Sequence, residues 1–165
     1  MKTLGRLACT ATIMLACAAT AQAQTTAAQM TGGWTLLSLD TETAEGPIQP
    51  FGPTPLGFID FAGNGRFMAQ FMRPDLPKIA ANNRLKATAE ENIAIGQGVV
   101  AFFGEWKLVD AQTGEVSLRI VGSSFANWNG SDQKRFVRVE GDGMTLMNPA
   151  SPSAGKSTLK LDRAK

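Results

Sequence analysis

The sequence predicts an all-β chain: an eight-stranded antiparallel up-and-down barrel with one short helix. Three observations lead there. Eight short runs rich in apolar and β-branched residues follow one another along the chain. Several of the connections between them are short turn chemistry, such as Ala62-Gly63-Asn64-Gly65 and Gly141-Asp142-Gly143, and strands joined this way pair antiparallel. One segment alone carries helix start and stop signals, so the crossover helices of a parallel sheet are missing. Closing eight such strands on themselves removes exposed edges and leaves room for side chains or one small ligand. A two-sheet sandwich of the same strands is the alternative. The length of 165 residues fits one domain, and 44% hydrophobic against 18% charged residues is a globular composition.

Residues 1–23 read as an address. Lys2 and Arg6 precede the uncharged run Leu7 to Ala19, and Ala21-Gln22-Ala23 supplies a small-x-small site. This is the pattern of a secretory signal peptide cleaved after Ala23, and its apolar run is too short to span a bilayer permanently. The expected destination is the periplasm or the exterior. Lipidation at Cys17 is the rival, although Leu15 fits poorly two positions before such a cysteine. Both cysteines, Cys9 and Cys17, fall in this leader, so the remaining chain is predicted to fold without disulfides. Lys2 and Arg6 also account for the formal charge of +2; without them the 14 acidic residues are balanced by an equal number of basic ones. A balanced chain with no basic run offers no electrostatic case for nucleic acid or membrane association.

Gln24 to Thr31 reads as a flexible lead-in, and residues 32–164 as the barrel domain. Trp34 to Leu39 is the first strand. Glu45 to Pro55 holds four prolines and is expected to be an irregular loop. Gly57 to Phe61 and Arg66 to Met72 flank the Asn-Gly hairpin turn, and Pro74 and Pro77 end it. Thr88 to Gln97 is the helix: Thr88 can cap it, Glu91 completes a capping box, Ala89, Ile93 and Ile95 form a modest apolar side, and Gly96 and Gly98 terminate it. Strands resume at Ala101 to Val109, Glu115 to Val121, Asp132 to Glu140, Met144 to Asn148 and Ser157 to Arg163.

The chemical inventory narrows function. Histidine and tyrosine are absent and the cysteines lie in the leader, which excludes Ser–His and Cys–His nucleophiles and imidazole or thiolate metal sites. No metal and no cofactor is expected. What remains for catalysis is Glu105, Asp60 or Arg135, a group whose proton affinity an apolar barrel could shift. Alternation places Phe102, Gly104, Trp106 and Leu108 on one face of their strand, and Gln133, Arg135, Val137 and Val139 on one face of theirs. The second face ends in valines and is taken as interior, so Gln133 and Arg135 lie inside or at the mouth. There they either orient the polar or anionic end of a ligand, or Arg135 pairs structurally with Asp132 or Glu105. Asn127 and Trp128 sit in a polar, aromatic loop suited either to ligand contact at a barrel mouth or to covering a barrel end. Gln70, Met72 and Arg73 end the third strand, where alternation does not choose a face; there a core role for the methionines and a local Arg73–Asp75 pair compete with ligand contact. Asn129-Gly130-Ser131 matches a glycosylation sequon, discounted because the leader looks bacterial.

Gly32-Gly33-Trp34 looks like the Gly-x-Trp opening of lipocalins, whose tryptophan closes one barrel end beneath a late arginine; Arg163 is placed for that role. Pro50-Phe51-Gly52, Leu56 to Ile59, Gln70 to Pro77, Ala101 to Trp106 and Phe125 to Arg135 resemble, in order, the bacterial and fungal lipocalin-like domain family. The resemblance implies a small β-barrel with an internal cavity, and more about fold than about function.

These readings converge on an exported protein, monomeric or weakly dimeric, that binds a small, largely apolar molecule in its barrel. Phe102, Trp106, Asn127, Trp128, Gln133 and Arg135, with Gln70, Met72 and Arg73, are the candidate contacts. An isomerase or cyclase acting on an apolar metabolite in the same cavity, and an envelope interaction module without ligand, are the alternatives.

Overall fold

The computed structural model describes residues 24–151 and 155–165. The signal peptide and its cysteines lie outside the described residues. Among the described residues nine antiparallel strands form one sheet: β1 Gly32–Thr43, β2 Gly46–Ile48, β3 Leu56–Phe61, β4 Arg66–Met72, β5 Val99–Asp110, β6 Glu115–Ser123, β7 Asp132–Glu140, β8 Gly143–Ser151 and β9 Gly155–Arg163. β1 pairs with β3 on one edge and with β9 on the other, so eight strands close into a barrel. The ninth, β2, is a three-residue strip added to the far end of β1. It lies inside the proline-rich segment expected to be irregular throughout. Pro47 is tolerated there because an edge strand leaves one side of its backbone free of ladder hydrogen bonds.

The hairpin between β3 and β4 turns at Gly65, whose φ of +82° is the left-handed conformation that glycine adopts without strain. Asn64 Oδ1 accepts from the Arg66 amide at 3.1 Å and fixes the turn. The helix forms where expected. α2 spans Ala89–Gly98 with Thr88 as N-cap and a complete capping box: Thr88 Oγ1 accepts from the Glu91 amide and Glu91 accepts from the Thr88 amide. It runs through Gly96 to Gly98 and passes directly into β5. Of its expected apolar side, Ile93 is exposed and Ile95 half-buried, so α2 rests lightly on the barrel.

The supposed flexible lead-in is docked instead. Thr26 and Gln29 form a capping box around the short helix α1, Ala27–Met30. Met30 is fully buried against one barrel end, and Thr25, also buried, donates from its hydroxyl to the Val137 carbonyl at 3.2 Å. A single large apolar side chain explains the difference, since Met30 buries completely against that end.

That end is solid. The Trp34 indole N–H donates to the Met30 carbonyl at 2.8 Å. The Arg163 guanidinium lies 4.2 Å from the Trp34 ring centroid and donates to the carbonyls of Gln29 and Thr31 at 2.8 and 3.2 Å. Gly32, with φ of +111°, starts β1 beneath it; a Cβ there would sit 3.5 Å from the guanidinium. The Gly32, Trp34 and Arg163 closure therefore has the geometry expected of it. Phe61 and Trp106 stack edge-to-face at 5.3 Å in the same region.

Candidate functional site

Above the solid end the barrel is hollow. A cavity of ≈ 320 Å³ opens at the opposite end, where β1, β7, β8 and β9 contribute one wall and β4 and β5 the other. This is the lower end of the range for small-molecule sites. Pro50 and Phe51, the C-terminal end of α2 at Gly96 and Gln97, and the turn around Phe125 and Trp128 border the mouth.

The two walls differ in chemistry. One is aromatic. Alternation along β4 turns Phe67, Ala69 and Phe71 inward. Phe102 of β5 stands edge-on to Phe67, Phe71 and Trp128, with ring centroids 5.9, 6.1 and 5.2 Å away. The other wall carries a polar tier. Ser157 of β9 pairs in register with Thr41 of β1 and with Asn148 of β8. Continuing the β7–β8 register beyond Phe136↔Met147 brings Arg135 next to Asn148. All four side chains are buried and line the cavity. The Thr41 and Ser157 hydroxyls are 2.8 Å apart. One step deeper, Leu39, Leu159 and Leu146 face the interior, so polarity is confined to one level near the mouth.

Arg135 is the charged member of that tier. Its residue exposure is 6%. One guanidinium nitrogen donates to the Lys134 carbonyl at 2.7 Å and the other to Gln133 Oε1. Neither expected ion pair forms. Asp132 bonds Arg119 at 2.9 Å instead, and Glu105 points outward, opposite Arg119 on the neighbouring strand. Among the described residues, which include every Asp and Glu of the chain, no carboxylate forms an ion pair with Arg135. Burial without a counter-ion pushes its pKa down to about 10.

The structure thus brings Phe102, Trp128 and Arg135 together around one cavity and scatters the other candidates. Gln133 is half-buried and serves Arg135 from the side, holding Ser131 Oγ at 3.2 Å with its amide. Trp106 points inward but belongs to the solid end, its indole N–H donating to the Ala62 carbonyl at 3.0 Å. Asn127 is exposed on the turn beside Trp128. Gln70 and Met72 lie on the outer face of β4, because Phe67, Ala69 and Phe71 claim the inner one. Arg73 is exposed and makes a two-pronged bond to Asp75 at 2.7 and 2.9 Å, the local pairing. Of the three residues considered for catalysis, Glu105 and Asp60 occupy outward faces, and Arg135 alone reaches the cavity. Phe58, Met68 and Phe103 form an apolar strip on the outside of the same wall, with Met68 and Phe103 in register.

Thr41, Asn148 and Ser157 escaped the sequence reading, as did Phe51. A signal was present for two of them: Ser157 shares a face with Leu159 and Leu161, and Asn148 with Met144 and Leu146. A lone polar residue ending an apolar strand face marks such a tier. For Thr41 the signal is scrambled, because a bulge between Leu36 and Ser38 shifts the alternation of β1.

The sequence profile of the lipocalin-like domain family matches residues 31–161. The chain belongs to that family. Among curated proteins, this lipocalin-like chain is similar to the 4'-hydroxy-3'-methoxypropiophenone carrier protein of Aspergillus oryzae, at 34% identity over 83 residues covering 47% of this chain and 75% of the relative. A lipocalin-like barrel together with a relative named as a carrier supports small-molecule binding in general. Among the described residues, no helix of this lipocalin-like protein is long and apolar enough to cross a membrane.

Proposed function

We propose that this lipocalin-like protein is an exported carrier that holds one small, largely apolar molecule in its barrel without transforming it. The observation that carries the reading is the open-ended cavity of ≈ 320 Å³, whose wall is mostly Phe, Leu, Ile and Val side chains with a confined polar tier. Burying an apolar ligand there gains about 25 cal/mol per Å² removed from water. Edge-on Phe71, Phe102 and Trp128 favour a ligand with an aromatic ring, which prefers such tilted partners. The relative's name, a carrier of a substituted propiophenone, agrees with an aromatic guest. Export rests on the leader pattern of residues 1–23, and carriage is favoured over turnover because Glu105 and Asp60 face away from the cavity.

Native mass spectrometry on protein purified without denaturation tests this. A reproducible small-molecule adduct, lost on organic extraction, is the expected result. Protein that arrives empty and then takes up no member of a panel of one- and two-ring aromatic compounds overturns it. Mass analysis of the periplasmic or secreted form should show an N-terminus at Gln24; a retained leader would overturn the export part alone.

A further inference from the structure

Resting on the carrier reading, we infer that the cavity selects guests bearing a single negative charge, aromatic monocarboxylates being the class that fits, and that the guest's carboxylate is the missing partner of Arg135. The argument begins with an imbalance. A buried guanidinium without a counter-ion is costly, and natural interiors almost always pair such a charge. Here Gln133 and the Lys134 carbonyl occupy two of its five N–H donors. All 14 Asp and Glu residues of the chain are described, and each is engaged elsewhere or faces another direction. No buried side-chain nitrogen or oxygen that is sealed from open space lacks a hydrogen-bond partner among the described residues. Arg135 Nε, which has no hydrogen-bond partner among the described residues, is therefore not sealed from open space, and Arg135 lines the cavity.

The surroundings define the guest. The polar tier of Arg135, Asn148, Ser157 and Thr41 spans adjacent strands at one level, so a carboxylate drawn to Arg135 meets further hydrogen-bonding groups beside it. Across the cavity stand Phe71, Phe102 and Trp128. A ring lying against this wall, joined by a short spacer to a carboxylate at the tier, uses both walls at once. One positive charge neutralises one negative charge, so a dicarboxylate would leave a second charge buried without a partner. A planar guanidinium also matches carboxylate geometry better than an ammonium does.

The test compares 3-phenylpropanoate with 3-phenylpropanamide, which share size and ring but differ in charge, by isothermal titration to the full folded protein at neutral pH. The expected result is at least tenfold tighter binding of the carboxylate. In Arg135→Met that preference disappears while the amide still binds; Arg135→Lys keeps a reduced preference. Equal affinity of the wild-type protein for both probes overturns the charge selectivity and leaves the carrier reading standing. So does binding of neutral one-ring compounds with no uptake of the carboxylate. No binding of either probe or of the aromatic panel overturns both readings together. A preference that survives in folded Arg135→Met overturns the role of Arg135. Should that variant not fold, the wild-type comparison and Arg135→Lys decide the matter.

Discussion

Arg163→Met should weaken the solid end of the barrel without touching the cavity. The substitution keeps an apolar stem and removes the guanidinium. Four interactions are lost. The contact 4.2 Å from the Trp34 centroid contributes about 1 kcal/mol for a half-covered cation–π pair. The bonds to the Gln29 and Thr31 carbonyls tie α1 to the last residue of β9. Charged donors can be worth more, but the Arg163 side chain is 34% exposed and water competes, so about 0.5–1 kcal/mol each is appropriate. The ion pair with Asp142 spans 3.9 Å to a carboxylate that is 85% exposed and adds nothing measurable. The total is a loss of about 2–3 kcal/mol, and for a domain of this size a fall in Tm of roughly 6–12 °C. Urea denaturation followed by tryptophan fluorescence checks it, with an unchanged m-value showing that the same surface unfolds. Binding of aromatic probes should stay within about twofold, because the cavity lies at the other end. A loss below about 0.5 kcal/mol would refute the claim that Arg163 clamps this end through Trp34 and α1.

Arg135→Met should stabilise the empty protein. Burial lowers its pKa from the ordinary arginine range to about 10, which corresponds to about 3 kcal/mol against the charged form, from which about 1 kcal/mol is subtracted for each hydrogen bond lost to Gln133 and the Lys134 carbonyl. The net gain is about 1 kcal/mol by denaturation. Because a depressed cationic group destabilises fully at every pH below its folded value, this gain should be flat through the neutral range. Gly104→Ala should cost about 3 kcal/mol or prevent folding, since a Cβ there would lie 1.8 Å from the Arg119 carbonyl oxygen, where β5 and β6 shift register; soluble yield and urea midpoint report it. The amides of Ala80 and Thr88 both donate to Glu91 and hold its pKa below the usual glutamate range. Its contribution to the start of α2 is therefore complete above that range and lost as pH falls through the lowered value. Protection of the Ala80 and Thr88 amides against hydrogen exchange, taken relative to the intrinsic rate at each pH, should fall at acid pH, and Glu91→Gln should show the same loss of protection at neutral pH.

Local chemistry made much of the architecture legible. Asn64-Gly65 specifies its hairpin and Thr88 and Glu91 specify the start of α2, because each depends on a few neighbouring residues; the closed end at Gly32-Gly33-Trp34 and Arg163 is what the resemblance to lipocalins implies. The inward face of β7 followed from period-two alternation, which for β5 only grouped Phe102, Gly104, Trp106 and Leu108 on one face. Alternation failed on β4, where both faces are apolar and the outer one carries Met68 and Met72. It failed again on β1, where a bulge reverses the phase between Leu36 and Ser38.

Fold class, strand order and the want of histidine and tyrosine belong to the sequence itself, because turn chemistry and side-chain inventory need no distant partner. The site belongs to tertiary structure. Arg135 and Asp132 are three residues apart, yet strand pairing gives Asp132 to Arg119 and leaves Arg135 facing the cavity. Thr41, Asn148, Ser157 and Arg135 become neighbours only because barrel closure sets β1, β9, β8 and β7 in one register. A charge is left without a partner by the geometry of every other element, and no local stretch of sequence contains that information.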